Sequence, residues 1–191
     1  MGDIKEFCPS NQQEWRNWLE LNHVNESAVW LVFYKKNSPN FNLSWSESVD
    51  EALCFGWIDS TKKTIDSEKF KQYFSKRKEK SNWSKINKDK IRFLKEKGLI
   101  TKQGFKSIEI AKKNGSWTIL DDVESLVTPK ELDNEFGNHP GSREYFNGLS
   151  NSAKKILLYW VISAKRKETR QKRVLEIAEN ASNKMKPKQF R

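Results

Sequence analysis

The sequence predicts an α+β protein: a small, mainly antiparallel N-terminal sheet packed by helices, then an all-helical C-terminal half. Three observations carry this. Residues 28–34 read Ala-Val-Trp-Leu-Val-Phe-Tyr, nearly all apolar, β-branched or aromatic, as a buried strand does. Residues 51–60 run from the last turn of an amphipathic helix, through a stop at Gly56, into a strand bearing Trp57 and Asp59. Beyond residue 81 the apolar residues recur at helical spacing.

Taken in order, Ser10-Asn11-Gln12-Gln13 reads as a capping box with Ser10 as N-cap. The helix it opens, to about Leu21, sets Trp15, Trp18 and Leu19 on one stripe. Strand 28–34 follows, buried on both faces and central in its sheet, with Lys35-Lys36 and a turn at 37–40 closing it. A second capping box, Ser44-Trp45-Ser46-Glu47, opens a helix whose Val49, Ala52 and Leu53 face inward. Residues 57–65 and 70–75 form the arms of a hairpin around Asp66-Ser67-Glu68-Lys69, and residues 76–80 are a basic loop.

Ser81 or Ser84 caps the next helix, with Ile91 and Leu94 inward and a stop at Gly98. Thr101 opens another, with Phe105, Ile108 and Ala111 inside and Asn114-Gly115 as a left-handed cap. Residues 116–128 read as irregular around Trp117. Thr128-Pro129-Lys130-Glu131 is a third capping box with proline at the first helical position, and Pro140 starts a short helix through Tyr145 and Phe146. The longest helical pattern covers 151–166, with Ile156, Leu157, Trp160, Val161 and Ala164 at helical spacing, and a basic helix over 168–180 follows. The expected division is an α+β domain at 1–125, a helical region at 126–183 and a flexible tail at 184–191.

Eight Trp and eleven Phe in 191 residues supply a core, so the 32% charged residues describe a highly charged surface rather than a disordered chain. The net charge of +11 is uneven. Residues 62–97 hold 14 Lys/Arg against 5 Asp/Glu and residues 154–191 hold 12 against 3, while the remainder is mildly acidic. Two basic regions suit a polyanion: nucleic acid, an anionic lipid surface or a phosphorylated ligand. A lysine-rich solvated face is the competing reading, favoured by the excess of lysine over arginine, since dedicated phosphate readers tend toward arginine. The start Met1-Gly2-Asp3-Ile4-Lys5-Glu6 has no apolar leader core, and Glu6 stands where a myristoylation signal needs Ser or Thr. No later run is long enough to span a membrane, and the expected location is cytoplasmic.

The inventory for chemistry is thin. There is no Gly-rich phosphate loop, Gly-x-Ser-x-Gly elbow or His-Glu-x-x-His pair. Two cysteines (Cys8, Cys54) and two histidines (His23, His139) make no metal-ligand spacing, so no metal and no cofactor is expected. Cys54 stands near a helix C-terminus, the wrong end of the dipole for a thiolate. Trp57 and Asp59 share a strand face and read either as a corner of a ligand cleft or as a packed corner beside a solvated acid. Asp59 would serve as an acid or base only if buried, and Lys62 and Lys63 favour its charged form. Tyr73, Phe74, Arg77 and Trp83 read either as a stacking-and-charge surface or as a core-facing strand with a basic loop. The run 165–173 is the densest in cations, but a helix spreads them around its circumference.

Four motifs carry a family resemblance. Val29-Trp30-Leu31-Val32-Phe33-Tyr34-Lys35-Lys36, Glu51-Ala52-Leu53-Cys54-Phe55-Gly56-Trp57-Ile58-Asp59, Asn82-Trp83-Ser84-Lys85-Ile86-Asn87 and Tyr159 through Arg170 resemble, in order, the YdeI or OmpD-associated family, the bacteriocin-protection proteins. The resemblance spans about residues 15–173. It implies tolerance of bacteriocins or antimicrobial peptides and brings no agreed catalytic residues. Some members are described as periplasmic, whereas this chain shows no export signal. The family's proline before the residue matching Arg77 is Lys76 here. The residues carried over as ligand-binding are Trp57, Asp59, Arg77, Trp83, Asn87, Lys165, Arg166 and Arg170.

Three functions are thereby ranked. The first is a non-catalytic binding or stress-tolerance module whose basic cleft takes an anionic small molecule or a partner protein. The second is a nucleic-acid binder, and the third is an enzyme using Asp59 as acid or base. The oligomeric state is left open.

Overall fold

In the computed structural model, which describes residues 4–190, the N-terminal unit (Met1–Thr118) is built on a four-stranded sheet. The Met1-Gly2 start, on which the reading of leader and lipid signals rests, lies outside the described residues, as does Arg191. The elements of this unit are β1 (Glu6–Phe7), α1 (Gln12–Asn22), β2 (Ala28–Tyr34), α2 (Trp45–Cys54), β3 (Trp57–Thr64), β4 (Lys69–Lys76), α3 (Lys85–Glu96) and α4 (Lys102–Lys113). Strand order is β1-β2-β4-β3, with β1 parallel to β2 and the other pairs antiparallel. The α+β expectation holds. The two-residue β1 carries no sequence signal of its own, because it exists only through its register with Trp30 and Leu31.

Residues Val29, Leu31 and Phe33 of β2 and Phe74 of β4 are fully buried and meet Trp15 and Leu19 of α1 and Val49, Ala52 and Leu53 of α2 in one core. Trp15 packs edge-on against Phe74 and donates its indole N–H to the Ser48 carbonyl at 3.0 Å, tying α1 to α2 within the core. Glu51, also buried, accepts from Gln12 at 2.6 Å and from Arg16 at 2.7 Å, so its charge is compensated. The expectation that β2 is buried on both faces is corrected: on its other face Val32 is buried, but Trp30 and Tyr34 are only half-buried.

The caps show where local rules suffice. Ser44 and Glu47 form a complete capping box, and Ser84 and Thr101 each accept an amide of their helix's first turn. At α1 the cap moves one residue on: Asn11 accepts from Glu14, whose carboxylate reaches back to the Ser10 amide, so Ser10 is not the N-cap. Phe105, expected inside α4, is exposed. Gly104 occupies the contact instead, its Cα against the Cys54 carbonyl where a Cβ would come within 2.3 Å.

The C-terminal unit (Ile119–Arg191) is helical: α5 (Asp121–Glu124), α6 (Lys130–Asn138), α7 (Ser142–Gly148), α8 (Asn151–Ile162) and α9 (Lys167–Ser182). Its own core joins Leu132, Phe136, Phe146, Leu157, Leu158, Val161, Val174, Ile177 and Ala178. The short α5 interrupts the stretch expected to be irregular. Pro129 is the N-cap of α6 rather than its first residue, with no side-chain capping bond, so Thr128 does not close a capping box. The helix expected over 151–166 breaks after Ile162, and the longest helix is α9. Arg173 holds that corner by donating to the Trp160 carbonyl at 2.6 Å and the Ser163 hydroxyl at 3.0 Å. Residues Lys188–Phe190 make a 3-10 turn, with Phe190 edge-on to Trp160. Among the described residues no helix is long and apolar enough to cross a membrane.

Candidate functional site

The hairpin stem and α4 enclose a cavity of about 200 Å³ in the N-terminal unit. Gly56 makes it possible. With φ of +72° it turns the chain from α2 into β3, a conformation that costs glycine nothing. Its carbonyl accepts the Arg77 amide at 2.9 Å, which extends the β3–β4 ladder one step beyond the Trp57–Lys76 pair. Trp57, at the start of β3, and Arg77, just past the end of β4, are thereby fixed together at one end of the sheet. The opposite wall is α4, whose Gln103, Lys106, Ser107 and Ile110 face the cavity. Thr101 seats that helix by giving both its amide (3.0 Å) and its hydroxyl (2.8 Å) to the Cys54 carbonyl.

Arg77 is the unusual group. Its guanidinium lies over the Trp83 ring, 3.7 Å from the centroid, and its Nη2 donates to the Asn82 carbonyl at 2.6 Å. Its Nε and Nη1 are buried and have no hydrogen-bond partner. Burial pushes its pKa down to about 10, partly opposed by the Asp59 charge. The group therefore remains a cation at neutral pH, in surroundings that penalise the charge. The indole Nε1 of Trp57, a residue 1% exposed on the same cavity, is also buried without an acceptor. Buried donors are nearly always satisfied, and leaving one unmade costs about 1–3 kcal/mol, more for a charged group. Lys76, Lys78 and Lys106 add cations to the lining against one carboxylate, Glu79.

The sequence-predicted residues separate into those on this cavity and those elsewhere. Trp57, Arg77 and Trp83 line it. Asp59 does not: its carboxylate accepts from the Trp45 indole at 2.9 Å and from Gln72 at 3.0 Å. The Trp57–Asp59 pair thus divides its work between the cavity and a link from α2 to the sheet. Asn87 lies in the first turn of α3, its amide bonded to the Ser84 hydroxyl. Lys165 and Arg166 are exposed in the link between α8 and α9. Arg170, on α9, pairs with Glu131 beside a second cavity of about 250 Å³ in the C-terminal unit. Tyr73, Phe74, Arg77 and Trp83 do not form a single stacking surface, because Phe74 and Trp83 are core residues.

The sequence reading missed Gly56, Lys76, His23 and the α4 wall as lining. A signal existed for that wall: residues 103, 106, 107 and 110 are spaced i, i+3, i+4, i+7, one helix stripe.

Neither cysteine is disulfide-bonded. Burial first, and the Glu51 charge second, push the Cys54 thiol up to about 11. Because the fold retains the neutral thiol, its contribution to stability is complete below the unfolded pKa near 9 and is lost as pH rises toward about 11. Thiol titration of the native protein at pH 8 should count one reactive group, the exposed Cys8, and two after denaturation. Rapid native labelling of Cys54 would contradict this packing.

Comparison with known families separates the chain at about the same place. Residues 7–107 match the model described as Domain of unknown function (DUF8412). Residues 125–184 match the model described as Bacteriocin-protection, YdeI or OmpD-Associated. The resemblance expected over residues 15–173 is thus found in its C-terminal part, and its three N-terminal motifs fall within the other model. No curated protein and no solved structure matches the chain.

Proposed function

We propose, for a chain that belongs to the DUF8412 family over its N-terminal half, a non-catalytic binding module whose cavity takes a small anion. The observation that supports this most is Arg77: a cation withdrawn from water, with two nitrogens lacking an acceptor and no carboxylate paired to it among the described residues. A carboxylate or phosphate oxygen would supply the missing acceptor and the missing charge together. Trp57 offers a second donor, and Lys76, Lys78 and Lys106 raise the local anion concentration. The aromatic walls of Phe55, Trp57 and Trp83 would hold an apolar body behind the anionic group. The stress-tolerance part of the reading rests on the description of the C-terminal family alone.

The test is thermal denaturation against phosphate, sulfate and a panel of small carboxylates and phosphomonoesters, with chloride holding ionic strength constant. A ligand at about 100 times its Kd adds about 2.7 kcal/mol, a rise of roughly 5–10 °C for a domain this size. A panel in which no anion moves the midpoint beyond the chloride control would reject the proposal.

A further inference from the structure

The sheet presents a second surface, independent of the cavity. The face with Val29, Leu31, Phe33 and Phe74 is covered by α1 and α2, whereas strand alternation sets Trp30 and Tyr34 of β2 and Tyr73 of β4 on the other. Trp30 and Tyr73 are register partners whose rings meet edge-on, centroids 5.1 Å apart. None of these three aromatics belongs to the hydrophobic core.

Lysines stand over two of these rings, Trp30 and Tyr34. The Lys63 and Lys71 ammonium groups stand 5.0 and 5.2 Å from the Trp30 centroid, and that of Lys69 stands 5.1 Å from the Tyr34 centroid. Lys71 is also paired with Glu6, but Lys63 and Lys69 make no salt bridge among the described residues. Their charge is therefore held near the sheet by ring faces without a direct ion pair, although the Lys69 charge also acts on Asp66. Aromatic rings half-open to solvent with cations between them suit a ligand that brings both π faces and negative charge, repeated along a chain.

We propose that this face binds single-stranded nucleic acid. Two or three bases stack on Trp30, Tyr73 and Tyr34, as on other base-stacking sheets, while Lys63, Lys69 and Lys71 exchange ring faces for phosphates. A duplex keeps its bases stacked on one another and offers no free π face, so the same surface discriminates against it. Binding is sequence-tolerant, because stacking uses a feature common to all bases.

Fluorescence anisotropy with a labelled oligouridine of about 12 nucleotides and a duplex of equal length, from about 50 to 200 mM salt, tests this. The single strand should bind more tightly than the duplex. Trp30→Ala with Tyr73→Ala should weaken single-strand binding by about 30-fold or more. Because that double variant can loosen the sheet, Lys63→Ala with Lys69→Ala supplies a test at solvent-facing positions. It should flatten the log–log salt slope by about 1.4, or about 0.7 for each phosphate no longer neutralised. Folding of each variant is checked by circular dichroism. The proposal is overturned by an absence of binding at low salt, by equal affinity for duplex, or by wild-type affinity and slope in the folded lysine variant. The last outcome would assign the binding to another basic segment. Failure here leaves the anion cavity untouched, since none of these residues lines it.

Discussion

Arg77→Met is expected to abolish the anion response of the N-terminal unit while leaving its stability unchanged or higher. The two effects have one origin. In the free protein the guanidinium is desolvated with no carboxylate bonded to it, the Asp59 charge opposing only part of the cost, and the effective penalty for burying an ion is several kcal/mol. Against this stand one charged hydrogen bond to the Asn82 carbonyl, about 1.5–3 kcal/mol, and the stacking on Trp83, about 2 kcal/mol when desolvated. Methionine keeps an unbranched stem over the indole and places a polarisable sulfur there, which recovers part of that stacking. The balance is a change of about 0 to 2 kcal/mol in favour of the variant. Anion affinity, by contrast, should fall at least about 100-fold, since both charge and donors are gone. Arg77→Lys retains the charge without the planar fork and should fall between. Urea denaturation with and without the best anion measures both quantities. A variant that still responds to the anion as wild type does would remove Arg77 from the site. One that loses more than about 2 kcal/mol without ligand would show that the guanidinium is a structural brace.

Gly104→Ala carries the largest expected loss of stability. The new Cβ would lie 2.3 Å from the Cys54 carbonyl oxygen and 2.9 Å from its carbon, and both are backbone atoms that cannot rotate away. That carbonyl is already fixed by the amide and hydroxyl of Thr101. Relief requires α4 to move off the end of α2. The Ile100 side chain is also met, with Cγ2 at 2.8 Å; overpacking of this kind costs typically about 1–3 kcal/mol and occasionally more, and the two backbone contacts put this site at the upper end. Alanine's better helix propensity returns about 1 kcal/mol. A net loss of about 2 kcal/mol in urea denaturation is expected. Because α4 carries Gln103, Lys106, Ser107 and Ile110, the same displacement should open the cavity and weaken anion binding. Wild-type stability together with wild-type binding would show that the α2–α4 packing is not the seat of the cavity wall.

Sequence and tertiary structure hold different kinds of information about this chain. Ser44, Ser84 and Thr101 were legible as caps because a cap is a bond between residues three apart. Gly56, Gly98 and Gly115 were legible as stops because a left-handed backbone position selects glycine locally. Strand β2 was legible from its composition, and the α+β class followed. Where two local solutions were nearly equal, as with Ser10 and Asn11 or along residues 151–166, sequence pattern chose wrongly. The difference lay in the reach-back of the Glu14 carboxylate to the Ser10 amide and hydroxyl and in the Arg173 bonds at the end of α8.

By itself, then, the sequence determined most of the elements and their order, β1 and α5 excepted, and its family resemblance set Trp57, Arg77 and Trp83 among the eight residues carried over as ligand-binding. Only the tertiary structure decided that these three share a cavity, that Asp59 is turned to Trp45 and Gln72, and that Nε and Nη1 of Arg77 are left without an acceptor. The reason is physical. Capping and backbone conformation are settled within a few residues, whereas burial and the satisfaction of a donor depend on groups brought from distant parts of the chain. Here they are brought by the closeness with which Gly104 lets α4 approach Cys54.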